Sequence, residues 1–222
     1  TSVVETLYGI FDCVTEHYRS DATYRKLFGF DARLEELILL PPMYKTNIPM
    51  GRMDLFYDEN TGRFKFCEFN TDGASAMNED RELNNAFRLS AAYDAFAKEI
   101  GCCTFELFDS WVKEVLCIWE EATGRSERPK ICITDFLEHA TINEFHIFKD
   151  AFERQGCTVC ICDIRQIKYK DGNCYAEDGM PIDIVYRRAV TSDIMRHYDE
   201  VADFLAGVRN QAFYLMGDFR TQ

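Results

Sequence analysis

The chain has 222 residues, with 38 Asp and Glu against 25 Lys and Arg, and its formal net charge is −13. Nucleic acids and anionic membrane surfaces are bound mainly by clusters of Lys and Arg. Since the sequence contains no such cluster, we expect neither a nucleic acid nor a membrane as partner. Hydrophobic residues make up 47% of the chain, which is enough for a sizeable core.

The lack of a recognisable targeting signal and the positions of the cysteines bear on the cellular compartment. No apolar run approaches the about 20 residues of a membrane-spanning helix, and the N-terminal residues lack the basic and apolar regions of a signal peptide. The sequence therefore predicts a soluble, cytoplasmic protein. The ten cysteines lie mostly in apolar runs such as Ile131-Cys132-Ile133. We expect them to be reduced, buried thiols that pack as small hydrophobic side chains.

The first part of the chain is predicted to contain two helices and a hairpin. Apolar residues recur at helical spacing over 1–19, and a shorter helix over 31–40 ends at Pro41-Pro42. Two strand-like stretches, 52–57 and 63–70, flank a turn-rich segment and predict a β-hairpin.

Helices and then alternating elements follow. A helix is predicted over 78–100, closed by Gly101, and an amphipathic helix over 104–123. Beyond Pro129 the pattern predicts a strand over 130–136, a helix over 141–155 and a strand over 157–164. Strand, helix and strand in this order indicate a crossover unit in a partly parallel sheet.

The last part adds a hairpin around Asp171-Gly172-Asn173, a strand over 182–186 and a helix over 196–209. Together the elements predict an α/β fold in which a mixed sheet is flanked by helices and preceded by a helical N-terminal region. We expect one domain with four parts: the helical region 1–50, the hairpin 51–75, the helices 76–128 and the crossover α/β unit 129–222.

The hairpin of residues 51–75 carries the most informative residues. Pairing Tyr57 with Arg63 across the turn predicts three directly opposed pairs: Arg52 with Glu68, Asp54 with Phe66, and Phe56 with Phe64. Since alternate residues of a strand share a face, one face would carry a polar cluster at one end and aromatic rings at the other. Its members would be Arg52, Asp54, Glu68 and Asn70, with Phe56, Phe64 and Phe66.

Three phenylalanines predict that this face is at least partly buried, where charged groups need compensation. A divalent metal would supply it, because carboxylate and amide oxygens suit Mg²⁺, which takes one or two protein carboxylates plus substrate phosphates. Arg52 could bind a phosphate or a carboxylate in bidentate fashion. The alternative is a solvated Arg–Glu pair on a hairpin that packs under a helix. A one-residue slip in register would also send Asp54 to the opposite face.

Further polar residues follow the predicted parallel strands, where α/β sheets bind ligands. Glu138 is a candidate substrate contact there, whereas Thr141 with Glu144 also fits a capping box. Arg187 and Arg188 point to opposite faces of their strand, so at most one of them faces a site. Arg187 is the candidate for binding a substrate carboxylate, with a structural salt bridge as the alternative.

Two ordered motifs resemble those of a known family. Arg52-x-Asp54, followed by Glu68-Phe69-Asn70-Thr71-Asp72-Gly73-Ala74-Ser75, resembles the metal-binding hairpin of the glutathionylspermidine synthase-like ligases, a circularly permuted ATP-grasp group. The stretch Ile182-Asp183-Ile184-Val185-Tyr186-Arg187-Arg188, with Asp193 beyond it, resembles the "VYRR" strand of related proteins. Together the two motifs span roughly residues 50–195.

The resemblance implies a pre-ATP-grasp-like substrate domain and the ligation of a carboxylate to an amine through an acylphosphate, with Mg²⁺ and ATP as cofactors. Asp54, Glu68 and Asn70 match the Mg²⁺ ligands of the family. Arg52 matches its catalytic arginine, which contacts the transferred phosphoryl group. Ser75 matches a small polar residue near the acyl substrate.

The resemblance also implies the kinds of substrate. A peptide-like carboxylate such as glutathione would be joined to an amine or polyamine, with which the acidic composition is compatible. Such a ligase needs a glycine-rich flap and lysines over the nucleotide, but the chain shows no such flap and Lys170 is its last lysine. We therefore expect the chain to be the N-terminal part of a longer ligase. The alternative is a non-catalytic module that binds peptides or amino acids and lacks nucleotide binding.

Overall fold

The computed structural model describes the backbone of residues 2–222 and the side chains of residues 3–222; the predicted helix over 1–19 includes residue 1, which lies outside these. Both predicted N-terminal helices are present, as α1 (Ser2–Ser20) and α3 (Ala32–Leu39). A short helix that the sequence did not predict, α2 (Ala22–Arg25), lies between them. It begins at Asp21, whose carboxylate accepts hydrogen bonds from the N–H groups of Thr23 and Tyr24 and so caps the helix.

The predicted hairpin is present, but its predicted register is wrong. Strands β1 (Arg52–Asp58) and β2 (Arg63–Asn70) pair antiparallel. Asp54 is opposite Glu68 rather than Phe66, and Arg52 is opposite Asn70. The register shifts between Asp54 and Leu55, where β2 contains an extra residue. Such a bulge cannot be counted from the length of the turn.

The bulge also changes the faces of the aromatic residues. Phe66 is opposite Leu55, on the face away from Asp54. On that face Phe66 and Phe69 contact Phe11 of α1, with ring centroids 6.3 Å and 4.0 Å away. Phe56 stays on the polar face but is 71% exposed. The prediction of a partly buried polar face therefore holds only for Asp54 and Asn70, whereas Arg52, Glu68 and Phe56 are exposed.

The helix predicted over 78–100 is two helices, α4 (Met77–Arg88) and α5 (Ala91–Ile100). Between them Ser90 accepts a hydrogen bond from the N–H of Tyr93 at 3.1 Å and starts the second helix. A serine hydroxyl bonds to nearby backbone N–H groups in this way, so serine is favoured at the start of a helix rather than in its interior. The next helix, α6 (Leu107–Thr123), begins later than predicted because the Glu106 carboxylate caps it.

The C-terminal half contains the crossover unit. Its longer elements match the prediction, and the helix predicted over 196–209 is α9, with the separate helix α8 before it. The elements are β3 (Lys130–Asp135), α7 (Ile142–Arg154), β4 (Thr158–Asp163), β5 (Lys168–Lys170), β6 (Asn173–Tyr175), β7 (Ile184–Arg187), α8 (Thr191–Arg196), α9 (Ala202–Arg209) and β8 (Tyr214–Met216). Short 3₁₀ turns cover Leu137–His139, Ile164–Gln166 and Phe219–Thr221.

A four-stranded sheet in the order β4-β3-β7-β8 organises this half, and its strands run parallel. The strands β1 and β2 pair antiparallel, as do β5 and β6, and an isolated antiparallel bridge joins Tyr175 to Pro181. The predicted α/β class with flanking helices is thus confirmed. The chain leaves β3 on one side towards β4 and returns on its other side as β7, so the carboxyl ends of β3 and β7 form the switch point where ligands commonly bind.

Alternate residues of the sheet pack into two cores. Cys132 and Val185 face a cluster that includes residues of α3 and α9, whereas Ile131, Ile133 and Tyr186 face one formed with α6 and α7. This alternation follows from the period of a strand. Because both faces are covered, the strands of this sheet are almost continuously apolar.

The cysteines divide between the core and the surface. All ten are free thiols, as expected. Cys132, Cys157, Cys162 and Cys174 are buried, but half of the ten are exposed, so the prediction of burial holds only in part. No helix within residues 2–222 combines the length and the apolar character needed to span a membrane.

Gly207 in α9 is packed too closely for a larger residue. A Cβ at this position would lie 2.5 Å from the Sγ of Cys174 and 2.6 Å from the ring of Phe213. We expect Gly207→Ala to lower the free energy of unfolding by about 1–3 kcal/mol, because the surrounding core must shift. Gly9→Ala in α1, where a Cβ meets nothing within 4 Å, should raise it by about 0.5–1 kcal/mol. Urea unfolding measures both, and equal stabilities of the two variants would contradict this packing.

Candidate functional site

The four polar residues predicted to cluster on the hairpin do lie together. Arg52, Asp54, Glu68 and Asn70, which we call the hairpin cluster, form two adjacent cross-strand pairs. The Nε of Arg52 donates to Asp54 Oδ1 at 3.1 Å, and its Nη2 lies 3.8 Å from Glu68 Oε1. Asn70 Nδ2 donates to Glu68 Oε1 at 3.1 Å. The corrected register brings the carboxylates of Asp54 and Glu68 directly opposite each other.

The hairpin cluster is open to solvent. The side chains of Arg52, Asp54 and Glu68 are between 37% and 56% exposed. The hydrogen bond from Arg52 lowers the pKa of Asp54, and the same bond raises the pKa of Arg52. Exposed ion pairs contribute about 0–1 kcal/mol to stability. The carboxylates of Asp54 and Glu68 are thus accessible to a ligand.

The hairpin cluster leads into residues 71–76, the segment that contains Ser75. Ser75 is partly exposed. Its neighbour Ala74 is buried, and the carbonyl of Ala74 accepts a hydrogen bond from Nη1 of Arg188. Gly73 has φ +69° and lies so close to the sheet that a Cβ would be 2.7 Å from the carbonyl oxygen of Arg188. Ser75 is therefore held at the carboxyl edge of the sheet.

Arg187, the candidate for binding a substrate carboxylate, is fully enclosed at the end of β7. Its Nη2 donates to Asp72 Oδ1 at 2.8 Å. Its other contacts are also with protein oxygens: the carbonyls of Ala189, Gly217 and Asp218 and the hydroxyls of Thr191 and Thr221. Because every N–H of the guanidinium has an acceptor, the geometry favours the structural salt bridge over a substrate contact.

Arg188 forms a second buried ion pair. Its Nη2 donates to Glu144 Oε2 at 2.7 Å, and both side chains are only 3% exposed. Its Nε has no hydrogen-bond partner. Leaving one charge of such a pair buried and unpaired costs about 3–5 kcal/mol. Both neighbouring arginines therefore connect the sheet to other parts of the chain.

Glu144 does not form the predicted capping box. The Thr141 side chain makes no capping hydrogen bond to α7. The carboxylate of Glu144 instead turns away from its own helix, and its Oε1 accepts from the N–H groups of Met77 and Asn78 at 3.2 Å and 3.3 Å. The Glu144 carboxylate binds Arg188 and the first N–H groups of α4 instead of a group at the start of its own helix. These partners replace the local cap.

Asp135 lies at the carboxyl end of β3, next to the end of β7. Its Oδ1 accepts from the N–H of Phe136 at 2.8 Å. Burial raises the pKa of Asp135 to about 6, and the charge of Asp193 adds to this, while the arginines of β7 oppose it. Asp135 is not among the residues predicted from the sequence, although an aspartate that ends a buried parallel strand is a recognisable signal.

Glu138, the other candidate substrate contact, lies in the 3₁₀ turn after β3. Its carboxylate pairs with both terminal nitrogens of Arg165, at 2.9 Å and 2.5 Å, and this pairing lowers the pKa of Glu138. Arg165 also contacts Asp163 at the end of β4. Glu138 is thus part of a surface ion-pair network at the same edge of the sheet.

The oxygen donors of the hairpin cluster suit hard cations such as Mg²⁺. Two carboxylates and an amide oxygen are hard ligands of the type that Mg²⁺ takes when substrate phosphates complete its coordination. Among the residues described, no group of three or more His, Cys, Asp and Glu side chains is arranged as a metal site. The hairpin cluster thus offers two carboxylates and one amide oxygen to a hard cation, whose coordination water or substrate oxygens would complete.

Comparison with known proteins gives no family. No model of a protein family matches the chain, and no curated protein matches it either. The structure defines an α/β protein with a parallel sheet, an exposed polar hairpin and two buried arginine ion pairs.

The raised pKa of Asp135 predicts a dependence of stability on pH. Because its folded-state pKa of about 6 lies above the ordinary value of 3.8, the stability it contributes is present below about pH 4 and is lost as the pH rises through 6. We expect Asp135→Asn to be more stable than the wild type by about 1–2 kcal/mol at pH 7.5, after allowance for its partial exposure, and equally stable at pH 4.

Urea unfolding at several pH values measures this difference. The exposed Asp199→Asn serves as the control, and its stability should follow that of the wild type at every pH. A constant difference between Asp135→Asn and the wild type across pH 4–7.5 would contradict the assignment.

Proposed function

We propose that this chain supplies the metal-binding and acyl-substrate side of an ATP- and Mg²⁺-dependent carboxylate–amine ligase. The observation that carries the proposal is the hairpin cluster, in which Asp54 and Glu68 are directly opposed and Arg52 contacts both. The resemblance of the same residues to the hairpin of glutathionylspermidine synthase-like ligases supports the same function.

The reaction begins with a carboxylate substrate. One of its oxygens attacks the terminal phosphorus of ATP, ADP departs, and an acylphosphate forms. The nitrogen of an amine then attacks the acyl carbon, phosphate leaves and an amide remains. Since negative charge concentrates on the transferred phosphoryl group, positive groups and donors beside it provide most of the catalysis.

The residues of the hairpin cluster fit this chemistry. Asp54, Glu68 and Asn70 would hold Mg²⁺, which when bound neutralises phosphate charge. The guanidinium of Arg52 now pairs with the carboxylates and is 45% exposed. It can therefore exchange that contact for a bidentate one with a phosphoryl or carboxylate group. Ser75, in the segment after the hairpin, would contact the acyl substrate.

The proposed substrates follow the same resemblance. A peptide-like carboxylate such as glutathione is the proposed acyl donor, and an amine or polyamine is the proposed acceptor. The net charge of −13 supports a cationic amine, because an acidic protein attracts cations over a range set by the ionic strength.

Metal binding by the 222-residue chain tests this function. Mn²⁺ takes the same oxygen ligands as Mg²⁺ and is observed directly by electron paramagnetic resonance. We expect Mn²⁺ to bind and to be displaced by Mg²⁺. Asp54→Asn and Glu68→Gln should each raise the Mn²⁺ dissociation constant roughly tenfold or more, because each removes a ligand charge.

Glu59→Gln is the matched control, since it removes a carboxylate charge from the turn of the same hairpin. Its dissociation constant should equal that of the wild type. If all three variants bind Mn²⁺ as the wild type does, the hairpin cluster is not the metal site. Binding of a peptide with no response to Mn²⁺ or to Mg·ATP would instead favour the non-catalytic binding module.

A further inference from the structure

Residues 71–76, which we call the anchored loop, join β2 to α4 directly after Glu68 and Asn70. At its first end, the carboxylate of Asp72 makes three contacts. Oδ1 accepts from Arg187 Nη2 and from the hydroxyl of Thr191, both at 2.8 Å, and Oδ2 accepts from the N–H of Thr191 at 2.7 Å. Asp72 thereby joins the loop to the end of β7 and to the start of α8.

The second end of the anchored loop is held through Glu144. One oxygen of this carboxylate binds Arg188, which in turn donates to the carbonyl of Ala74. The other oxygen accepts the N–H groups of Met77 and Asn78. The first N–H groups of a helix have no partner within the helix, so a side chain from α7 serves as the cap of α4.

The backbone of the loop requires this support. Ala76 has φ +85° and ψ +12°, a left-handed conformation that alanine rarely adopts, and its side chain cannot cap the helix that follows. Such a conformation persists only where its surroundings enforce it, and it occurs most often at functional sites. The contacts of Asp72 and Glu144 lie on either side of this strained position.

The hairpin has further attachments at the end next to the anchored loop: Tyr186 Oη of β7 donates to Met50 Sδ at 3.8 Å just before β1, and Thr71 Oγ1 donates to the carbonyl of Thr221 at 2.5 Å. Its far end is exposed, and its ring contacts are with α1, where Phe69 stacks on Phe11. The cross-strand pairs that form the hairpin cluster lie next to the anchored loop, because Asn70 is two residues before Asp72 in the sequence. The orientation of these cross-strand pairs relative to the sheet therefore depends on the loop together with the contact between Met50 and Tyr186.

We propose that Glu144 and Asp72 are positioning residues. By fixing the anchored loop on Arg187 and Arg188, they hold the cross-strand pairs of the hairpin cluster in place relative to the parallel sheet. The effect on metal binding rests on the proposed function of that cluster. The effect on the loop and the hairpin does not.

A first measurement uses the wild-type chain. Hydrogen–deuterium exchange, resolved by residue, should be slow at the amides of Met77 and Asn78, because Glu144 accepts both. The amides of Ala91 and Ala92 occupy the matching first positions of α5 and should exchange faster, since the Ser90 cap reaches only Tyr93. Equally fast exchange at the two helix starts would overturn the role of Glu144.

A second measurement uses variants. Glu144→Gln keeps an acceptor for α4 but presents an amide donor to Arg188, and Asp72→Asn removes the charge that faces Arg187. Each should speed exchange over residues 52–54 and 68–78 and raise the Mn²⁺ dissociation constant roughly tenfold, as is typical when support of a metal site is lost. Glu36→Gln breaks an exposed Glu–Arg pair with Arg209 and should change neither.

The outcomes separate this inference from the proposed function. Faster exchange with unchanged Mn²⁺ affinity would reduce the two residues to structural ones and overturn the positioning role. If the wild type binds no Mn²⁺, the proposed function is wrong. The positioning role is then tested only by hydrogen–deuterium exchange over residues 52–54 and 68–70. Faster exchange over these residues in both variants would support the positioning role, and exchange at the wild-type rate would overturn it. Should Glu144→Gln not fold, Asp72→Asn and the wild-type comparison still decide.

Discussion

The arrangement of the molecule depends on two buried charges at the carboxyl edge of the parallel sheet. Arg187 ends strand β7 and Arg188 follows it, and each pairs with a carboxylate from a distant part of the chain, Asp72 and Glu144 respectively. Removing two guanidinium groups from water is costly, and such pairs add little net stability. We infer that they contribute to the specificity of the fold, because a single arrangement satisfies both charges.

That arrangement places three parts of the chain together. The sheet forms one layer with helices on both faces, while the hairpin projects from it with a polar face in solvent. Between them lies the loop that Asp72 and Ala74 attach to the arginines. The contacts of Asp72 and Ala74 connect the loop to the sheet and leave the carboxylates of the hairpin cluster exposed.

Much of the fold and the membership of the hairpin cluster could be predicted from local patterns. Alternation along the strands and helical spacing located most elements, and the Arg-x-Asp and Glu-x-Asn spacings put Arg52, Asp54, Glu68 and Asn70 on one face. The register could not be predicted, because β2 contains one extra residue where the pairing shifts between Asp54 and Leu55. A bulge adds no signal to the sequence.

The sequence by itself determined the α/β class, the order of the elements and the chemical character of the hairpin, since these follow from periodicity and residue type. Only the tertiary structure decided what the buried charges do. Glu144 fits a capping box in its own helix, yet it caps another helix and neutralises Arg188. Arg187 has the chemistry of a substrate ligand, yet it binds Asp72. A buried charge takes the strongest partner that the fold brings within reach, and sequence distance gives no measure of that.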